Sequence, residues 1–147
     1  MKIPSQLPQF TKETVLLIVT GLQEAEFFLA GEGKLDRVGG FRVEKPQYSD
    51  REDFSRGGGA LVFESGAKFE ARKRLIWQDF RRQFKEQLAN LVRAHDFTAV
   101  YLLAPAPISA TVKALLPAAL QKKIKRTVRG NFFKEHPLKI LARLSVQ

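Results

Sequence analysis

The run Val15-Leu-Leu-Ile-Val19, flanked by Thr14 and Thr20 and stopped by Gly21, is apolar at every position. A strand with one wet face alternates apolar and polar residues, so an unbroken run belongs to a sheet covered on both sides. Helices provide that cover, and one segment predicts a long one. Across residues 68–95, Phe69, Ile76, Phe80, Phe84, Leu88 and Leu91 recur at intervals of three, four or seven and make a single apolar face. Strand run and helix face together predict an α/β domain.

Other segments extend the pattern. Residues 24–30 and 34–45 read as two further strands, separated by Gly31 and Gly33, with a bulge or bend expected at Gly39-Gly40. Such short glycine connections predict an antiparallel meander. Residues 98–104 form another buried strand, ended by Pro105 and Pro107. A helix over residues 108–120 should break or restart at Pro117. Residues 122–129 alternate Lys123, Lys125 and Thr127 with Ile124, Arg126 and Val128, which suits a charged edge strand. A last helix begins near Pro137 and carries Leu138, Ile140, Leu141 and Leu144. The order β-β-β-α-β-α-β-α predicts a mixed sheet with parallel members and helices on its faces, as in ribonuclease-H-like folds. At 147 residues, with no internal repeat, residues 1–147 are expected to form one domain. The polar stretch 46–66 is read as a flexible glycine loop.

Charge is distributed unevenly. Residues 1–67 carry a net −2, residues 68–95 a net +5 and residues 113–147 a net +8, within a total of +10. A basic half joined to a slightly acidic one is the footprint of a protein that approaches phosphate backbones. Arg74, Arg81 and Lys85 lie at helical spacing opposite the apolar face, and Lys122, Lys123 and Lys125 belong to the charged strand. The bland alternative is a basic protein kept soluble by its charge.

Several chemistries find no support. With no Cys there is neither a disulfide framework nor a thiolate metal site. A two-metal nuclease on this fold needs carboxylates converging from the central strands, and residues 14–20 and 98–104 contain none. Asp50, Glu52 and Asp53 cluster in the polar loop, where they keep it solvated. His95 and His136 are the two histidines, and His95 is placed to favour a helix C-terminus. No Gly-x-Ser-x-Gly elbow occurs, and Gly31-Glu-Gly-Lys34 is too short for a phosphate loop. No cofactor is expected. Neither a signal peptide nor a bilayer-spanning run is present, and the chain is expected to be cytoplasmic without membrane contact.

One loop remains as a candidate site. Arg56 precedes Gly57, Gly58 and Gly59, whose backbone N–H groups can approach an anion or nucleic-acid backbone closely. A plain surface loop is the alternative. The segment Ser55-Arg-Gly-Gly-Gly-Ala-Leu-Val-Phe63, followed by Ala71-Arg-Lys-Arg74 at the start of a long helix, resembles the central domain of archaeo-eukaryotic class 1 peptide release factors. Downstream, Phe97-Thr-Ala-Val-Tyr-Leu-Leu-Ala-Pro105, a helix, a basic strand and Asn131-Phe-Phe-Lys-Glu-His-Pro137 are similar in layout to bacterial release-factor-like proteins, some of them called host attachment proteins. The resemblance implies a stand-alone central domain that meets ribosomal RNA or tRNA through Arg56, Gly57, Gly58, Gly59 and the basic surface. It also implies a degenerate loop. Family members that release peptide carry Gln after the glycine pair, to position water at the peptidyl-tRNA ester, and here that position is Gly59. The flanking codon-reading domains have no counterpart, so stop-codon-dependent release is not expected. Three functions stay open: RNA or ribosome binding in rescue, stalling or dormancy; weak peptidyl-tRNA hydrolysis through backbone groups; and a protein-interaction module without nucleic acid.

Overall fold

The computed structural model describes residues 1–44 and 66–145, with side chains in the second stretch from residue 71 onward. Arg56 and Gly57–Gly59 lie outside the described residues, as does nearly all of the 46–66 loop. Its last residue, Gly66, is already helical.

Strand β1 (Val15–Thr20) is buried along its whole length. It pairs antiparallel with β2 (Glu24–Gly31), which pairs antiparallel with β3 (Lys34–Arg42), giving the expected meander. A two-residue turn closes the second hairpin, with Glu32 and Gly33 at φ 50° and 75°. Positive φ at both central positions matches the twist of the flanking strands, and glycine takes it at no steric cost. On the other side of β1 lies β4 (Ala99–Ala104), parallel to it, and β5 (Ile124–Arg129) pairs parallel with β4. The sheet order is β3-β2-β1-β4-β5, with β2 alone running against the rest, as in ribonuclease-H-like sheets.

Helices fill the connections. Helix α1 (Gly66–Ala94) carries the chain from the edge strand β3 across to β4. After β4 come a 3₁₀ turn (Ala106–Ile108), α2 (Ser109–Leu115) and α3 (Ala118–Gln121). The break falls where Pro117 requires it: Leu116 is held extended at ψ 143°, because the residue before a proline avoids helical geometry. Helix α4 (Pro137–Ser145) ends the described chain, and His136 Nδ1 accepts the Leu138 N–H at 3.1 Å to cap its start.

The unbroken apolar run in β1 is explained by what covers each face. Leu16, Ile18, Phe27, Val100 and Leu102 meet Phe80, Phe84, Leu88 and Leu91 of α1, together with Val112 and Leu120. Val15, Leu17, Val19, Phe28 and Leu103 meet Ile140, Leu141 and Leu144 of α4, together with Ile3 and Phe10. Alternate residues of one strand therefore enter two separate cores, and neither set has a wet side.

Beside the expected glycine irregularity stands a contact between side chain and backbone. Phe27 pairs with Gly39 and Phe28 with Arg37, which leaves Val38 as the extra residue of a bulge. Gln87 of α1 binds the neighbouring Gly40 at both of its backbone groups: Oε1 accepts from its N–H at 2.7 Å and Nε2 donates to its carbonyl at 2.9 Å. A Cβ at Gly39 would stand 2.8 Å from Gln87 Oε1, so any other residue there would displace the Gln87 amide from its bonds to Gly40. Replacing Gln87 with Ala should cost about 1–3 kcal/mol by leaving part-buried backbone groups unpaired. Urea denaturation reads the loss, and amide exchange should quicken first at Gly40; unchanged stability would show that water replaces the amide at no cost.

Candidate nucleic-acid interface

Helix α1 sorts its charges by position. At 3.6 residues per turn, positions 74, 81 and 85 fall within about 40° of one another, on a stripe about 16 Å long. Arg74, Arg81 and Lys85 on that stripe are exposed and have no ion pair among the described residues. The acidic residues Asp79 and Glu86 take the other flank, where Arg82 bridges both, with Glu86 at 3.4 Å. The hydrogen bond and charge of Asp79 hold the Arg82 guanidinium above its ordinary pKa. Arg82 is thus neutralised locally, and the row of three has no compensating partner among the described residues.

Next to this row are α2 and α3. Lys85, Leu88 and Ala89 share a groove of about 260 Å³ with Leu115 and Pro117, so the Pro117 break faces the basic flank. Lys113 and Lys122 are exposed on α2 and just after α3. At the sheet edge, Lys125, Thr127 and Arg129 are exposed along β5, while Ile124, Arg126 and Val128 turn inward. That alternation follows the sequence pattern.

The structure separates the remaining expected cations. Lys123 is half-buried, and its Nζ donates to the Phe97 carbonyl at 2.8 Å, so it anchors the approach to β4 instead of standing free. Lys125 lines a groove with Tyr101, Arg126 and Leu144, beneath α4, on the face of the sheet opposite α1. Arg74, Arg81 and Lys85 are brought together, Lys122 lies at the sheet edge, and Lys125 belongs elsewhere. Sequence reasoning missed the groove beneath α4, although the inward position of an arginine in a charged edge strand was a readable signal.

The opposite edge of the sheet has a different character. Glu26 pairs with Arg37 at 2.7 Å, and Asp36 with the N-terminal ammonium at 2.9 Å. Positive charge therefore collects toward α1, α2 and β5, while the β2–β3 side balances its own. Among the described residues, no group of three or more His, Cys, Asp or Glu could hold a metal ion, and no helix is long and apolar enough to cross a membrane.

No known family profile and no curated protein matches the chain. Among solved structures, an archaeal translation termination factor superposes with a TM-score of 0.48 and 10% identity over 90% of this chain. The PilM–PilN complex of type IV pilus biogenesis superposes with a TM-score of 0.42 and 10% identity over 95% of it. This chain spans 38% and 43% of the lengths of those two chains. At such identity and scores, neither carries an activity, substrate or partner over to this protein.

Proposed function

We propose that this chain is a cytoplasmic, translation-associated protein that docks on ribosomal RNA or tRNA in ribosome rescue, stalling or dormancy. The observation that carries the reading is the row Arg74, Arg81 and Lys85, exposed and without an ion pair among the described residues, on a flank of α1 that Asp79 and Glu86 leave open. Cations left unpaired by their own protein are available to displace counterions from a phosphate backbone, the main source of sequence-independent affinity for nucleic acid. Lys122 extends the surface, and Arg56, Gly57, Gly58 and Gly59 precede α1 in the chain. Docking is proposed without hydrolysis, because Gly59 stands where the release factors that the sequence resembles carry the water-positioning Gln.

Co-sedimentation of tagged protein with ribosomes tests this directly. If three to five phosphates are contacted, affinity should fall about 40–500-fold between about 50 and 200 mM salt. Association at neither salt would leave the fold as a protein-interaction module. Turnover of peptidyl-tRNA in the same preparation would overturn the non-hydrolytic part.

A further inference from the structure

Strand β5 contains an irregularity with a chemical consequence. Val100 pairs with Ile124, but the next residue of β4, Tyr101, pairs with Arg126, so Lys125 is the extra residue of a bulge. In a regular strand Lys125 and Arg126 would point to opposite faces. A bulge re-aims side chains, and here both residues line one groove with Tyr101 and Leu144. The groove is open to solvent on one side and offers about 460 Å³ of space, enough for a small anion.

Arg126 and Tyr101 are held in place, and all three polar groups keep capacity to donate. Arg126 is half-buried, and its Nη1 donates to the Leu144 carbonyl at 2.7 Å. That bond fixes the planar guanidinium and covers a carbonyl at the C-terminal end of α4, where negative partial charge would repel an anion. Its remaining N–H groups have no partner among the described residues. Phe10 packs against the Tyr101 ring, with centroids 5.8 Å apart. Burial, and secondarily Glu13, raise the Tyr101 pKa while Arg126 opposes the shift, so the phenol keeps its proton and remains a donor. Lys125 is exposed and has no ion pair or hydrogen-bond partner among the described residues.

We propose that the groove beneath α4 binds one phosphate dianion, free or as the monoester of a small molecule, through the Tyr101 hydroxyl, the Lys125 ammonium and the Arg126 guanidinium. A guanidinium fork, a point charge and a phenol are donors of three different geometries around one concavity. They suit a compact group with several acceptor oxygens and two negative charges. A nucleic-acid strand presents a line of single charges, which the row on α1 fits better. The volume leaves room beyond the phosphate for one organic group. This site is independent of the RNA reading, since none of its side chains lies on α1.

Isothermal calorimetry on the full chain, with adenosine monophosphate, inorganic phosphate, adenosine and a 3′,5′-linked dinucleoside monophosphate, tests it. Adenosine monophosphate and phosphate should saturate a single site, adenosine should not bind, and the singly charged diester should bind at least about tenfold more weakly. Tighter binding of the nucleotide than of phosphate identifies an ester as the ligand, whereas equal affinity identifies the free ion. Tyr101→Phe keeps the ring contact with Phe10 and should weaken binding about tenfold, with Lys125→Gln losing about fivefold. Thermal unfolding reports that both variants remain folded, and Tyr101→Phe should still sediment with ribosomes. Absence of saturation up to about 10 mM phosphate or nucleotide, wild-type affinity in both variants, or equal binding of the diester would overturn the assignment.

Discussion

Phe84→Ala will lower the unfolding free energy by about 3–5 kcal/mol, a large part of the 5–15 kcal/mol typical of a domain. The ring is fully buried, 5.5 Å from Phe27 of β2 and 5.8 Å from Phe80 one turn earlier on α1. Truncation removes the aromatic contacts of both neighbours and opens a cavity in the layer between α1 and the sheet. Collapse into that space is restricted, because Phe80 is itself held between Trp77 and Phe41 at centroid distances of 5.0 and 5.2 Å. Urea denaturation at constant m-value measures the loss. Val92, 42% exposed on the same helix, serves as the comparison, and Val92→Ala should stay within about 0.5 kcal/mol. A Phe84→Ala protein as stable as the wild type would mean that α1 does not pack on the sheet through this face.

Reversing Arg74, Arg81 and Lys85 to Glu will abolish association with ribosomes at physiological salt while leaving the fold intact. Each position is exposed and makes no ion pair among the described residues, so the native state loses no specific contact. Surface changes of this kind shift stability by about 0.5 kcal/mol each. The electrostatic effect is much larger, because three attractive charges become repulsive along one face. Neutral replacement with Gln gives the quantitative form: the slope of log affinity against log salt should flatten by about one unit per phosphate contact removed. Lys34 and Arg42 at the β3 edge provide a control, since reversing charges on the side of the sheet away from the row should change affinity little. Equal sedimentation of wild type and triple mutant would remove α1 from the interface and leave docking to Lys122 and residues 56–59.

Legibility in the sequence followed the range of the interaction. The strands, the long helix and the break at Pro117 rest on periodicities of a few residues, and the structure reproduces them to within a few positions. The apolar run in β1 already required cover on both faces, because such a strand has no side left for water. The row on α1 was equally readable, since helical geometry places positions 74, 81 and 85 together whatever the helix packs against.

Tertiary structure decided what depends on pairing between distant segments. Nothing near Gly40 in the chain announces that Gln87, forty-seven residues away, will bind its backbone. Lys123 looked like a free cation until the turn into β5 brought it against the Phe97 carbonyl. Lys125 and Arg126 alternate in the sequence, yet the shifted register between β4 and β5 places both in one groove. Local geometry is written into residue order because a backbone turn repeats every two or 3.6 residues. Register and side-chain anchoring depend on which segment arrives opposite, and that is set only when the whole sheet closes.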